Sequence, residues 1–411
     1  MTAVALFMFS IIGTLPLFYF LDDYRYNIGI EDQILVLTVL FYSSVNIIFF
    51  LVGAVFIRKV TRLQPVIYDT KYTRPLNLLQ KQVLIGFFAF SVLVLIKYLS
   101  QLDQIAILIS LSEGADAARQ ARSDMGSSFS GKYHWYKLVM HDLGNLLTFT
   151  TFALWLHRKR FYSFIAFIAT FTYSTIVAII ATEKAPFAWL LIGLFMTYYL
   201  VKNNGFVPFK KMALFAVGVI GILMLAYIVF MDSDNAKSAL WSVFSRAFSG
   251  SISPAYFYLE FFPAHQDYLL GRTFPNPGGI MPYETYRYTV EVMNWLFPAL
   301  AKSGVVGSAP TVFWGEAYAN FGPIGIPVVA FTMGCIIAVI SYLVSKFEIN
   351  ALSTGFIVWL ILTFKDLSVT GFSGYLYSVY IIMLSFIVIL VFSLRGYILL
   401  RKPRGRSLKK F

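Results

Sequence analysis

The sequence predicts an all-α, polytopic transmembrane helical bundle of about ten spans, with one large extracytoplasmic loop containing re-entrant or interfacial helices. Three observations lead there. Of 411 residues, 58% are hydrophobic and 13% charged, with a mean hydropathy of +0.72, a profile foreign to a soluble domain. The apolar residues gather in runs of about 16 to 25, each long enough to cross a hydrocarbon core of roughly 30 Å as a helix. The basic residues concentrate in alternate connections between those runs.

The ten runs are 2–20, 33–57, 82–100, 138–156, 162–181, 186–201, 212–231, 323–345, 352–370 and 375–394. The first has no basic leader and no small-residue cleavage signature, so it is expected to remain as a span rather than to be removed as a signal peptide. An even number of spans then places both termini on one side. Twenty of the 33 Lys and Arg residues fall in 58–81, 158–160, 202–211, 346 and 395–410, and only Asp69 and Glu348 accompany them. That face carries +18 and the rest of the chain −5, which by the positive-inside rule makes it cytoplasmic. The basic tail, 395–411, suits anionic lipid headgroups at about 1 kcal/mol per basic residue. The net charge of +13 lies in loops flanking spans, with no recognition helix or RNA-binding signature, so nucleic acid is not an expected partner.

Three segments fall on the opposite face. Residues 21–32 are short and acidic. Residues 101–137 combine an Ala/Arg/Glu stretch with a Gly/Ser-rich one, a pattern that fits either a lid or a simple connection. Residues 232–322 form the largest loop, in which 254–272 and 290–302 are apolar and aromatic yet interrupted by Pro and charge, as in helices lying against a bundle. Between them GRTFPNPGGIMPYETYRY carries enough Gly and Pro to predict irregular backbone. No internal repeat and no separate soluble domain is visible, so residues 1–411 are expected to form a single membrane domain.

Several functions lack support. The motifs GxxxxGK[ST], HExxH, GxSxG and the EF-hand loop are absent. His134, His141, His157 and His265 lack paired metal-ligand spacing, and Cys335 is the lone cysteine, inside an apolar run. Neither a metal nor a cofactor is expected.

The candidate binding groups are the extracytoplasmic cations Arg119, Arg122, Lys184, Arg246, Arg272 and Arg287. Short loops on that side are usually poor in Lys and Arg, and a guanidinium offers a rigid fork of donors matched to phosphate oxygens. Together they suit a pyrophosphate; singly, each also suits a neighbouring carboxylate or the headgroup layer. Lys184, in TEKAP, has Glu183 beside it. Lys365 and Asp366 are adjacent within a span, where ionisable groups usually pair, and a structural salt bridge is expected.

Three residues are candidate proton acceptors. Glu316, in GSAPTVFWGEAYANFGPIGI, has apolar surroundings that suit a general base, or it pins the loop to an Arg. Asp142, in HDLGN, is either a functional intramembrane carboxylate or a hydrogen-bonded helix-terminal one. His265, in FFPAHQDYLLGR, is either structural or catalytic. Trp295, Trp314, Tyr283, Tyr286, Tyr288 and Tyr318 fit stacking on sugar faces, with Trp314, Tyr318 and Tyr283 foremost, and fit an interfacial aromatic belt equally.

The succession SRAFSGSISPAYFYLEFF, HQDYLLGRTFPNPGG and GSAPTVFWGEAYANFGPIG, in about 246–325, resembles the Wzy-type repeat-unit polymerases that extend O-antigens and related surface polysaccharides. The first 230 residues resemble that family in hydropathy alone. The resemblance implies a metal-independent glycosyltransferase of the bacterial inner membrane, acting at the periplasmic face on undecaprenyl-pyrophosphate-linked oligosaccharides, with a chain-length regulator protein as a candidate partner. In that reading the arginines hold the departing pyrophosphate, and Glu316, His265 or Asp142 takes the acceptor's proton. The related O-antigen ligases carry a His-Asn pair where this chain reads APTVFW, with Thr311 near the position of that His. This departure favours a polymerase and leaves a ligase as the nearer alternative. A flippase of the same lipid-linked sugars is a further alternative, although such carriers commonly show repeats that this chain lacks.

Overall fold

Helices make up every regular element of the computed structural model, which describes residues 1–18, 30, 32–61, 73–114, 117, 121–122, 124–126, 129, 132–231, 236–276, 279–302 and 307–395. No strand occurs among them. Among the described residues, seven helices are long and apolar enough to cross a membrane: Gln33–Val60, Leu78–Leu99, Phe161–Ile179, Ala185–Asn203, Phe313–Ser345, Ala351–Ser368 and Ser373–Ser393. The remaining apolar windows fall on Thr2–Phe18, on Gly144–Arg158 with the wider helical turn Leu138–Leu143 before it, and on Phe209–Met231. Arg119, most of the acidic 21–32 segment and 396–411 of the basic tail lie outside the described residues.

Contacts gather the chain into two compact units, one of residues 1–64, 220–340 and 361–379, the other of 65–219, 341–360 and 380–411. In the first, Asp32 opens the helix Gln33–Val60 by accepting from the Ile34 N–H at 2.7 Å, which satisfies an otherwise orphan donor. This helix is patterned inside out. Ser43 and Asn46 are buried while Phe41, Ile48, Phe49 and Phe56 are exposed, as expected where the surrounding medium is lipid. It packs closely on Phe313–Ser345: a side chain at Gly53 would strike the Phe331 backbone, one at Gly334 would strike that of Phe50, and Cys335 Sγ approaches the Gly53 carbonyl at 3.4 Å. Small residues facing each other let two backbones meet, which is how helices gain dispersion energy where water supplies no hydrophobic drive.

Phe313–Ser345 is two helices joined at a break. Gly322 sits at φ 66°, in a region that strains residues bearing a Cβ, and Pro323 follows with no N–H to give. The carbonyls left over at Ala319 and Asn320 accept from the N–H groups of Leu269 and Leu270, both at 3.0 Å. The irregular chain after Gly250–Phe261 is thereby laid along the short half-helix that precedes the break. The stretch 271–287, expected from its Gly and Pro content to be irregular, contains no α-helix and no strand where it is described.

In the second unit, Gly144–Arg158 and Phe161–Ile179 are joined by hydroxyls rather than by apolar packing alone: Thr148 Oγ1 meets the Thr170 carbonyl at 2.9 Å and Ser174 Oγ at 2.8 Å, and Thr151 meets Thr170 at 2.7 Å. Asn77 and Gln80 form a reciprocal cap on Leu78–Leu99, and Gln80 reaches the Val391 carbonyl at 3.0 Å. Glu348 accepts both Arg74, at 3.0 Å, and Arg395, at 3.6 Å.

Candidate functional site

The half-helix before Gly322 begins with Phe313, Trp314, Gly315 and Glu316. Trp314 is fully buried and donates its indole N–H to Ser43 Oγ at 3.1 Å, which fixes the rotation of this first turn. Glu316, two residues on, is 1% exposed. Its Oε2 accepts from the Ser373 N–H at 3.0 Å, and the hydroxyls of Thr273 and Ser373 and the Phe372 N–H also act on the carboxyl. Oε1 is buried without a partner in hydrogen-bonding geometry among the described residues. No described Lys or Arg forms an ion pair with it. A buried carboxylate oxygen left without a donor is costly, and such a group calls for an explanation, whether a catalytic role or a bound water or ion.

Asn320, one turn beyond Glu316 and completely buried, fastens the surroundings. Its Nδ2 donates to Thr273 Oγ1 at 2.8 Å and to the Glu316 carbonyl at 2.9 Å, and its Oδ1 accepts from the Gly271 N–H at 2.9 Å. From the other side comes the connector between the last two long apolar helices. Phe372 lies edge-on to Phe274 with centroids 5.6 Å apart, and the Tyr377 hydroxyl donates to the Pro275 carbonyl. This docking delivers the Ser373 N–H to Glu316.

Tyr288 completes the cluster around Glu316. Its hydroxyl and Glu316 Oε2 both occupy the space that a side chain at Gly371 would fill, so the two oxygens are neighbours and residue 371 has to lack a Cβ. Tyr288 stacks edge-on against the buried Tyr258 at 5.8 Å, and Tyr258 donates to the Ala309 carbonyl at 2.9 Å. Burial, then the Glu316 carboxylate, then Tyr258 push the Tyr288 phenol well above its usual pKa; burial and Glu316 do the same to Tyr258. Both phenols therefore stay protonated at physiological pH, and Tyr288 faces the carboxyl as a neutral donor.

Two of the arginines named from the sequence flank this cluster along the backbone. Arg272 precedes Thr273, and Arg287 precedes Tyr288. The Arg272 carbonyl accepts from the Tyr286 N–H at 2.8 Å, which holds the two stretches side by side. The Arg272 guanidinium lies 5.6 Å from the centre of the Tyr286 ring, an attractive placement for a cation. Both arginines are exposed, and neither makes an ion pair with a described carboxylate.

The other candidates are placed as follows. His265 is exposed in the same unit, its ring 5.1 Å from that of Trp295. Tyr318 is buried with its hydroxyl on the Phe262 carbonyl at 3.2 Å, and Tyr283 reaches the Phe274 carbonyl at 3.4 Å. Arg246 is on the helical turn Ser245–Ser249, with its side chain outside what is described. Asp142, Lys184 and Arg122 belong to the second unit. There Asp142 accepts from the Trp359 indole at 3.1 Å, Lys184 precedes the helix Ala185–Asn203, and Arg122 is half-buried. Lys365 and Asp366 form the expected salt bridge with each other.

Thr273, Asn320, Tyr258, Gly371 and Ser373 were not evident from sequence. Gly371 and Ser373 are more than fifty residues from Glu316, and their only signal is a GFSG stretch interrupting two apolar runs. No protein-family model, no curated protein and no solved structure matches the chain.

Proposed function

We propose that the protein is a glycosyltransferase that polymerises undecaprenyl-pyrophosphate-linked oligosaccharide units, with the buried cluster around Glu316 supplying its general base. One observation carries this reading: Glu316 is a buried carboxylate with one oxygen lacking a hydrogen-bond partner among the described residues and a protonated phenol beside its other oxygen, and the adjoining residues are arginines that form no ion pair with a described carboxylate. Glycosyl transfer from a lipid pyrophosphate needs those two capacities, a proton acceptor screened from water and cations for the anion that departs.

The step balances with these groups. A hydroxyl of the acceptor unit gives its proton to Glu316 as its oxygen attacks the anomeric carbon of the donor. The bond from that carbon to the pyrophosphate oxygen breaks, and the lipid pyrophosphate leaves with the electron pair, held by Arg272 and Arg287. Displacement in one step inverts the anomeric centre. His265 rests against Trp295, and Asp142 is already engaged by Trp359, so Glu316 is the better-suited base of the three.

We place ten spans in the inner membrane with the Glu316 cluster on the periplasmic side. Contacts within each unit support that arrangement. Arg74 and Arg395 both meet Glu348, all three on the basic face by sequence, and Lys202 donates to the Leu156 carbonyl at 2.9 Å. On the acidic face of the same unit, the Ile107 N–H donates to the Ile180 carbonyl at 3.1 Å. In the other unit the Asp32 N–H donates to the Tyr256 hydroxyl at 3.2 Å.

The test is the purified protein with one defined lipid-linked repeat unit and no nucleotide. A ladder of longer products is expected. Unchanged single units would reject the polymerase and leave a carrier of the same lipid, and transfer only to a lipid A core would identify a ligase.

A further inference from the structure

Glu316 is 1% exposed, and an acceptor hydroxyl has to reach its carboxyl before any proton can move. Something beside it must therefore give way. Phe313, Trp314 and Tyr258 are fully buried, with Trp314 tied to Ser43 and Tyr258 to the Ala309 carbonyl, so these residues are scaffold. The connector 369–378 is different. It joins the last two long apolar helices through a short helical turn, Ser373–Leu376. Phe372 and Ser373 are buried in it, whereas Gly374, Leu376 and Tyr377 are exposed, and a side chain added at Gly374 would meet nothing within 4 Å. Its hold on the site is a short set of side-chain and end-on contacts. The Ser373 N–H donates to Glu316 Oε2 at 3.0 Å, Ser373 Oγ donates to the Thr273 carbonyl at 3.5 Å, Phe372 lies edge-on to Phe274, and the Tyr377 hydroxyl donates to the Pro275 carbonyl. Tyr375 instead donates to the Thr363 carbonyl at 3.1 Å, its ring 5.7 Å from that of Phe364, which fastens the connector to the helix it leaves. A segment so attached belongs to the part of a fold that opens at least cost.

We propose that residues 369–378 form a lid over Glu316, closed in this structure, which lifts away from 273–275 to admit the acceptor hydroxyl. Lifting breaks the contacts made by Phe372, Ser373 and Tyr377 and keeps the one between Tyr375 and Thr363. It also withdraws the Ser373 N–H from Oε2, so the carboxylate loses a donor just where the incoming hydroxyl supplies another. Closure restores that N–H when the site is empty and keeps water from the carboxyl. The lid regulates the site described above and rests on the polymerase reading for the identity of what enters. The motion itself is measurable without it.

The test uses the full-length protein in detergent. Dicyclohexylcarbodiimide, an apolar reagent that converts a carboxyl it can reach into a stable N-acylurea, is applied at one fixed pH, and the Glu316 peptide is followed by mass spectrometry. Tyr377→Phe removes the hydroxyl tie at an exposed position and should label Glu316 about threefold to tenfold faster than wild type, the shift in an opening equilibrium that one lost hydrogen bond produces. Thr285→Val takes a hydroxyl from the neighbouring Phe274 carbonyl without touching the connector, and it should label at the wild-type rate. In a Cys335→Ser background, Pro275→Cys and Tyr377→Cys joined by a short bismaleimide should lose both the labelling and the ladder, while the unlinked pair keeps the labelling. That pattern of labelling in a protein that forms no ladder would uphold the lid and reject the polymerase. A ladder from wild-type protein would uphold the polymerase and overturn the lid if Tyr377→Phe labels no faster than wild type or Thr285→Val, or if labelling and ladder both survive the link. Glu316 left unlabelled in every form, with no ladder, would overturn both.

Discussion

Adding one methyl group at Gly371 should damage the site more than its size suggests. The added carbon would fall where the Tyr288 hydroxyl and Glu316 Oε2 now lie, with the carboxyl carbon itself 2.9 Å away. Neither neighbour can move freely. Oε2 is held by the N–H of Ser373, two residues from Gly371, and the Tyr288 ring is held against Tyr258. Yielding at the carboxyl forfeits a hydrogen bond to a charged acceptor, about 1.5–3 kcal/mol; yielding at the ring or backbone costs about 1–3 kcal/mol as overpacking. Gly371→Ala is therefore expected to lose about 1–3 kcal/mol, a fall in Tm on the order of 2–6 °C in detergent. Because a displacement of roughly 1 Å at a reacting group costs about a hundredfold in rate, the ladder should fade by more than the stability loss explains. Tyr288→Phe in the Gly371→Ala background removes one of the two overlapping oxygens and should restore about 1 kcal/mol, a coupling typical of touching residues. A Gly371→Ala protein with wild-type Tm and full polymerisation, or a double variant whose losses simply add, would refute the close approach on which the site is built.

Other perturbations follow from the same geometry. Asn320→Ala removes three hydrogen bonds and strands the Gly271 N–H, and thermal unfolding should register a loss of roughly 2–4 kcal/mol together with reduced activity. Arg272→Ala should abolish the ladder while Arg272→Lys leaves a remnant, because Lys keeps the charge and loses the planar fork; full activity in Arg272→Ala would remove this residue from the site. For orientation, in a Cys335→Ser background a membrane-impermeant maleimide applied to spheroplasts should label Glu284→Cys and spare Lys346→Cys, and the reverse pattern would invert the proposed topology.

The all-helical fold was legible because spans announce themselves: long apolar runs and charge-bearing connections survive without any tertiary information. The break at Gly322 was also foreshadowed by Gly322 and Pro323 in the sequence, and the Lys365–Asp366 pair by adjacency. What the chain did not disclose is convergence. Glu316 draws its partners from Thr273 and from Ser373, segments on either side of it in sequence, and its pairing with a backbone N–H leaves no side-chain signature. The aromatic residues were ambiguous for a related reason. Trp314 and Tyr318 have the composition of sugar-stacking groups, yet their polar atoms are taken by Ser43 and by the Phe262 carbonyl. A buried aromatic with a satisfied handle and an exposed one look alike in a one-dimensional string.

Glu316→Gln tests the central claim most directly, since it keeps the side chain's shape and can still accept from the Ser373 N–H while being unable to take a proton. With a defined lipid-linked repeat unit, the account predicts a protein that unfolds at close to the wild-type temperature, still binds its substrate, and forms product about a hundred- to ten-thousandfold more slowly. A Glu316→Gln enzyme that builds the ladder at the wild-type rate would contradict it.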